Sequence, residues 1–378
     1  MLVAELLGEL ERLAPGHLSQ PWDNSGLLVG DESQEVHEIL VALEVTADLL
    51  DEAVADGCDT ILTHHPLLFS PVRSLVEGNG RQRLLRVLVL REINLISCHT
   101  NLDAAPGGLA DIAGEALGLD GMVPIEPAAA GWFKFVGFIP REAVDTVAAA
   151  VFAAGAGGIG NYSECAFAAE GTGWFTPGSD SRPVVGEISR PERTPEVRWE
   201  TVVPKVRLAA AVRAFVAAHP YEEPAFDLYE VEDVLPGVGL GRVGTLAQET
   251  SVEGLAEWAA QTYECEGVAW SGEGDARVRR VGVLPGSGSK AIETAAGLCE
   301  ALITGDVTYH DGEKAAEMGM ALIDVPHGDL EWWALKRWAQ GLKADLAPSH
   351  VGVTVSERWR PCWRYVGAKS EPKGSRSG

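Results

Sequence analysis

Two stretches of this chain alternate a short apolar run with an amphipathic one, and no other feature narrows the possible folds as much. In the first stretch, HEILVALEV and TILTHH read as buried strands with TADLLDEAVADG as a helix between them. RLLRVLVLREI, NLISCHT and PGGLADIAGEALGL then read as helix, strand and helix. In the second, RVRRVGVLP, ALITGD and ALIDVP are strands, separated and followed by the helices KAIETAAGLCE, DGEKAAEMG and DLEWWALKRWAQGL. A short strand followed by a helical period is the signature of a βαβ unit. Two such halves predict an α/β domain, a sheet with helices on its faces.

Between the halves, from about Trp132 to about Asp233, the pattern changes. WFKFVGFIP, SECAFAAEGTGWFTP, RWETVVP and FDLYEV are strand candidates, while EAVDTVAAAVFAAGAG and VRLAAAVRAFVAAH have helical periods. That β-α-β-β-α-β order predicts an inserted ferredoxin-like α+β domain. The expected division is an α/β metal-binding domain in two pieces, 1–128 and 236–368, an insertion over 129–235, and a disordered tail over 369–378.

Charge excludes several functions. The 378 residues carry 55 acids against 30 Lys and Arg, a net −25. A chain this acidic is a poor partner for nucleic acid or an anionic membrane, both of which need clustered cations. No apolar stretch reaches the roughly 20 residues that span a bilayer. The segment MLVAELLGELERLAPG reads as an amphipathic helix and not a signal peptide. Six scattered cysteines without C-x-x-C predict no disulfide framework, no thiolate zinc site and a reducing cytoplasm. Any bound metal falls to His and carboxylates.

Five such residues stand out. His64 and His65 end the run TILTHHP, where Pro66 stops the strand. Neighbours on a strand face opposite ways, but at its end both rings can turn to one point. Asp103 follows the strand NLISC, and His99 and Asn101 beside it are candidates for orienting a ligand. His327 and Glu331 stand four apart where a strand gives way to a helix, so they share one side of its first turn. Each has a plain structural reading: a hydrogen-bonded His pair, a turn Asp, acids suited to a helix N-terminus as Asp329 is. Together they all lie just past the C-terminal ends of predicted parallel strands, where open α/β sheets place their ligands. Three imidazoles and two carboxylates suit two ions about 3.5–4 Å apart, sharing a carboxylate and leaving positions open. Such ligands admit zinc, iron, manganese or cobalt. His310, in TGDVTYHD, ends another strand at the same predicted edge and is a candidate general acid/base.

Three other patterns carry less. Gly239-Leu240-Gly241-Arg242-Val243-Gly244 matches a dinucleotide fingerprint but reads as a Gly-rich strand, because the next helix is expected only near Thr250, with Glu253 completing a capping box. Gly286-Ser287-Gly288-Ser289 reads as a tight strand-to-helix turn lacking the P-loop lysine pattern. The Trp residues between 332 and 363 fit helix packing better than base stacking.

PWDNSGLLVG (21–30), TILTHHPLLF (60–69), CHTNLDAAPGGLAD (98–111), TGDVTYHD (304–311) and PHGDLE (326–331) together resemble the NIF-three-like family, whose members also carry the name GTP cyclohydrolase I type 2 homologue. GAGGIGNYSECAF, EGTGWFTP and AHPYEEPAFDLY resemble the insertion of its longer bacterial members. The resemblance implies a dinuclear centre with two divalent ions per subunit (zinc, iron or manganese) on His64, His65, Asp103, His327 and Glu331. It implies toroidal homohexamers with metal sites facing an internal cavity and the insertions capping the ring. The last motif departs from the family pattern, with Gly328, Asp329 and Leu330 between the ligands where aromatic or small residues are usual. The expectation is a cytoplasmic metal-dependent hydrolase acting on a small molecule, a nucleotide or related phosphorylated compound, with Glu331 bridging the ions and His310 shuttling a proton. The competing expectation is a non-enzymatic metal-binding regulator or metal-delivery protein.

Overall fold

A computed structural model describes residues 1–76, 80–128, 131–159, 162–231 and 237–364. The tail expected to be disordered, 369–378, lies outside the described residues. The chain divides into two compact units, Met1–Ala128 with Pro236–Gly378, and Ala129–Leu235.

The first unit has two main sheets where the sequence predicted one. In the five-stranded sheet the order is Gly26–Val29, Asn94–Ser97, Thr60–Thr63, Glu38–Ala42, Gly352–Val355. All neighbours are parallel except Gly26–Val29, which closes its edge antiparallel to Asn94–Ser97. The six-stranded sheet runs Ala269–Trp270, Ala321–Asp324, Ala301–Gly305, Arg277–Ser287, Arg242–Ser251, Leu119–Val123, and only the Ala321–Asp324, Ala301–Gly305 and Arg277–Ser287 strands are mutually parallel. The antiparallel strands at the edges are what the βαβ pattern cannot foretell. The outermost of them, Gly26–Val29, Ala269–Trp270 and Leu119–Val123, are short segments of two to five residues.

One large core spans both sheets. It joins Val41, Leu62 and Ile96 to Val281, Ile303 and Ile323, with the helices Val3–Leu13, Leu109–Ala116, Val252–Thr262 and His327–Leu346 packed among them. The last helix buries Leu330, Glu331, Trp332, Trp333, Leu335, Trp338, Leu342 and Leu346, covering most of its circumference. A helix apolar on so many sides belongs inside a domain. Its indoles do pack: Trp332 stacks on Trp359, and Trp333 meets Tyr263 edge to face while Arg337 lies 3.4 Å above its ring.

Local signals explain the element ends. Thr46 caps Ala47–Asp56 by accepting the Leu49 amide, and Gly57 at φ 71° ends it. Thr308 and Asp311 form a capping box on Tyr309–Glu317. The capping box expected from Thr250 and Glu253 does not form; Ser251 is the cap, one residue later, and accepts the Gly254 amide. The helix expected over KAIETAAGLCE shrinks to Ile292–Ala296 after a 3-10 turn, as Gly297 leaves little helix to propagate. PGGLADIAGEALGL is helical only over Leu109–Ala116, and a separate short helix, Thr100–Ala104, precedes the Pro-Gly break.

The Gly239–Gly244 motif is extended as read, but not one strand: Gly241, at φ 64°, separates Gly239–Leu240 from Arg242–Ser251, which join different sheets. Its role is to hold a guanidinium: Arg242 is fully buried, pairs with Asp111 at 2.5 Å, and donates to the carbonyls of Gly237, Gly239, Gly241 and Ala105. A buried arginine is tolerated only when its donors are this fully used.

The second unit follows the order Trp132–Pro140, Val144–Ala153, Ala166–Phe175, Glu192–Pro204, Lys205–Ala218, Phe226–Val231, with strands and helices in β-α-β-β-α-β sequence. Its four strands form an antiparallel sheet ordered Phe226–Val231, Trp132–Pro140, Glu192–Pro204, Ala166–Phe175. Val197, Trp199, Thr201 and Val203 alternate inward, and Phe135, Val147, Val151 and Phe215 complete the core.

Candidate metal centre

The site is assembled in the first unit from the C-terminal ends of strands in both of its sheets. Past Thr63 the backbone keeps its ladder for two residues, His64 N–H donating to Ala42 and His65 N–H to Leu43, before Pro66. Both rings nevertheless turn to one side, their centroids 5.4 Å apart. Asp103 arrives on the short helix after Asn94–Ser97, and His327 and Glu331 on the first turn after Ala321–Asp324.

The five residues meet around Glu331. Its Oε2 lies 2.9 Å from His65 Nε2 and 3.0 Å from His327 Nε2. Its Oε1 lies 3.5 Å from His64 Nε2, which in turn is 3.6 Å from Asp103 Oδ1. The carboxylate therefore divides the imidazoles into two groups. His64 Nε2 and Asp103 Oδ1 are buried without a hydrogen-bond partner. Buried orphans of this kind are costly, and a cation between them would satisfy both.

Outer contacts fix which nitrogen each ring offers. His64 Nδ1 donates to the Cys98 carbonyl at 2.8 Å; since a carbonyl only accepts, Nδ1 carries a proton and Nε2 is the nitrogen presented to the centre. His327 Nδ1 lies 2.7 Å from Asp306. Such carbonyl and carboxylate partners are the usual orienters of metal-binding histidines. Asp306 reaches its position from a left-handed backbone, φ 56°. Two glycines let the pieces close up. A Cβ on Gly286, at φ +82°, would stand 2.7 Å from Glu331 Oε1, and one on Gly305 would stand 2.8 Å from His327 Cα.

Charge states follow from these neighbours. Burial opposes ionisation of Glu331, but His64, His327 and His65 outweigh it and hold the carboxyl well below its ordinary range. Burial raises Asp103, with His64 pulling the other way and Glu331 adding to the rise. Burial also works against a charged His327, yet Glu331 and Asp306 lift it to about 9.

His99 and Asp23 take a larger part than the sequence suggested. A ring nitrogen of His99 falls within 4.8 Å of those of His64 and His65, as close as ligands of one ion. His99 Nδ1 pairs with Asp23 at 2.7 Å, and Asp23 also takes the Thr100 amide and hydroxyl. Burial opposes the Asp23 charge, but His99 and Thr100 win and keep its carboxyl well below the usual range. The PWDNSG motif contained Asp23, but nothing local names a partner 76 residues away. Asn101 accepts the His99 amide and donates to the Ala14 carbonyl, so it steadies the loop. His310 is exposed, and its contacts are Glu313 at 3.0 Å and the Tyr309 ring; among the described residues it makes none with the five.

The Duf34/NIF3 (NGG1p interacting factor 3) family model matches residues 1–360. The chain belongs to that family. A "GTP cyclohydrolase 1 type 2 homolog" of Halalkalibacterium halodurans is 34% identical over 89% of this chain and 90% of its own length. The protein of the same name from Mycobacterium leprae is 36% identical over 94% and 92%. A crystal structure of a Bacillus cereus protein related to NIF3, 33% identical, covers 97% of this chain and 99% of that one with a TM-score of 0.73. The His and Glu groups described above are thus a candidate metal centre in a NIF3 fold. No helix among the described residues is long and apolar enough to cross a membrane.

A cavity of about 590 Å³ adjoins this NIF3 centre, with His65 and His327 in its wall. Leu43, Glu44, Asp306, Asp324, Gly328, Asp329, Trp359, Trp363 and Arg364 complete much of the lining. Burial, reinforced by Asp306, pushes the Asp324 carboxyl above its ordinary value.

Proposed function

We propose that this NIF3 protein is a dinuclear metal-dependent hydrolase acting on a phosphorylated small molecule. The division of Glu331 carries the reading: one oxygen faces His64, whose Nε2 also faces Asp103, and the other faces His65 and His327. His64, Asp103 and Oε1 would hold one divalent ion, and His65, His327 and Oε2 the other, with zinc, iron or manganese all compatible with N and O donors. When bound, such a pair polarises water and offsets phosphoryl charge. The protein's own part is orientation. Cys98 O and Asp306 keep two imidazoles presenting Nε2, and Asp23 holds His99 beside the first group. The exposed His310 is proposed as a shuttle that hands protons to solvent. The names of the curated relatives support a nucleotide as the substrate's parent class. A ring-shaped homohexamer, a cytoplasmic location and a ferredoxin-like identity for the second unit, supported by its strand order, belong to the same proposal.

The test is turnover by metal-reconstituted protein on GTP and a phosphoester panel, beside His64→Ala and Glu331→Ala. Metal-dependent turnover lost in both variants is the expected result. Equal turnover in all three proteins sinks the hydrolase reading, and saturable metal binding without turnover on the whole panel moves the protein to regulation or metal delivery.

A further inference from the structure

The cavity beside the centre has a chemical character of its own. Apart from the two centre imidazoles, its lining holds four carboxylates, Glu44, Asp306, Asp324 and Asp329, against one cation, Arg364. Asp306 is engaged by His327; Asp329 lies within the field of Arg364 and Asp324 accepts the Val307 amide, so Glu44 and Asp324 have no cationic side chain paired with them among the described residues. We infer, resting on the metal-centre reading above, that the substrate joins one metal-binding oxygen group, such as a single phosphoryl, to a flat cationic or amine-bearing ring, and carries no polyphosphate tail.

The wall explains the ring. Trp359 is stacked on the buried Trp332, centroids 5.8 Å apart and planes 26° from parallel, so its indole is set before any ligand arrives. Gly328 places no side chain between His327 and this indole; a Cβ there would already touch Trp359 at 3.4 Å and Leu43 at 3.5 Å. Trp363 adds a second, exposed indole to the lining. Indole faces attract cations, and a lining of four carboxylates against one guanidinium strengthens the preference. The volume is that of a small-molecule site, enough for a ring and one substituent. Each further phosphate would extend from the positive centre into a wall of like charge.

The experiment separates this proposal from the metal reading by using ligands that lack phosphate. Isothermal titration of the full chain, chelator-treated and zinc-loaded, measures binding of 1-methylquinolinium, of neutral quinoline and of GTP. In the metal-free protein the cation is expected to bind at least about fivefold more tightly than quinoline, less so in high salt. Glu44→Gln and Asp324→Asn are each expected to weaken the cation by roughly two- to fivefold while leaving quinoline unchanged, and Asp324→Asn, which removes a charge that burial disfavours, should not lower the unfolding midpoint. Trp363→Ala should weaken both ring compounds. Quinoline binding as well as the cation, no binding of either, or displacement of the cation by GTP from metal-free protein would overturn the proposal. Cation selectivity without zinc binding would retain the cavity's preference and discard the metal centre, and zinc binding without cation selectivity would do the reverse.

Discussion

His64 Nε2 and Asp103 Oδ1 face each other across 3.6 Å, both buried and both without a hydrogen-bond partner. A gap of that size is too long for a hydrogen bond and suits a cation bound to both atoms. Elemental analysis after reconstitution should therefore find about two ions per chain in the wild type. His64→Ala and Asp103→Asn should each lower this to about one, and Glu331→Ala should abolish tight binding because both groups lose an oxygen. Two ions retained in Asp103→Asn would show that the pairing is misread.

Metal uptake should release protons and strengthen as pH rises. His327, between Asp306 and Glu331, is lifted to about 9, and Asp103 is raised by burial, so both hold protons that an ion must displace. Without metal the same shifts act on stability in a defined direction. The His327 contribution is complete below its unfolded value near 6.5 and is lost as pH climbs through about 9. Raised Asp103 adds a growing cost above its unfolded value near 3.8. Depressed Glu331 works oppositely, stabilising above about 4.5 and losing that contribution only in acid. Chelator-treated protein should thus melt lower at pH 9 than at pH 6.5, and zinc should raise the midpoint most at the higher pH. Calorimetry in buffers of different ionisation enthalpy counts the protons.

Asp306→Asn keeps the shape of the His327 partner and removes its charge. Loss of such an orienter typically costs 10–100-fold in metal affinity. The loss should fall on one of the two ions, read by competition with a chromophoric chelator. An equal loss at both would mean that Asp306 acts on the whole site.

Gly286→Ala combines a left-handed φ of +82° with a Cβ 2.7 Å from Glu331 Oε1. Backbone strain of this kind costs roughly 1–3 kcal/mol. The variant should unfold at lower denaturant and bind metal more weakly, since Glu331 must move. Unchanged metal affinity in a destabilised variant would separate the backbone effect from the site.

Arg242→Ala leaves Asp111 without its buried partner and strands several carbonyls. Breaking such a pair from one side costs about 3–5 kcal/mol. Urea denaturation should show the loss.

Much of the first unit could be read locally. The strands Glu38–Ala42, Thr60–Thr63 and Ala301–Gly305 are buried on both faces, so they appear as short apolar runs, and the helices between them carry caps or a periodic stripe. The same logic singled out His64, His65, Asp103, His327 and Glu331, because parallel strands expose chemistry at one end, and the fold brings these five side chains together. Residues that depend on distant contacts were harder. Asp23 meets His99 only in three dimensions, and His99, read as a candidate for orienting a ligand, has a ring nitrogen beside those of His64 and His65. The exposed position of His310, the division of one expected sheet into two, and the indole of Trp359 against Gly328 were equally hidden. Periodicity and turn chemistry act between residues a few positions apart, so the amino-acid order settles them directly. Which carboxylate faces which imidazole depends on how two sheets and a buried helix pack, a choice made by the whole core and visible only once it has formed.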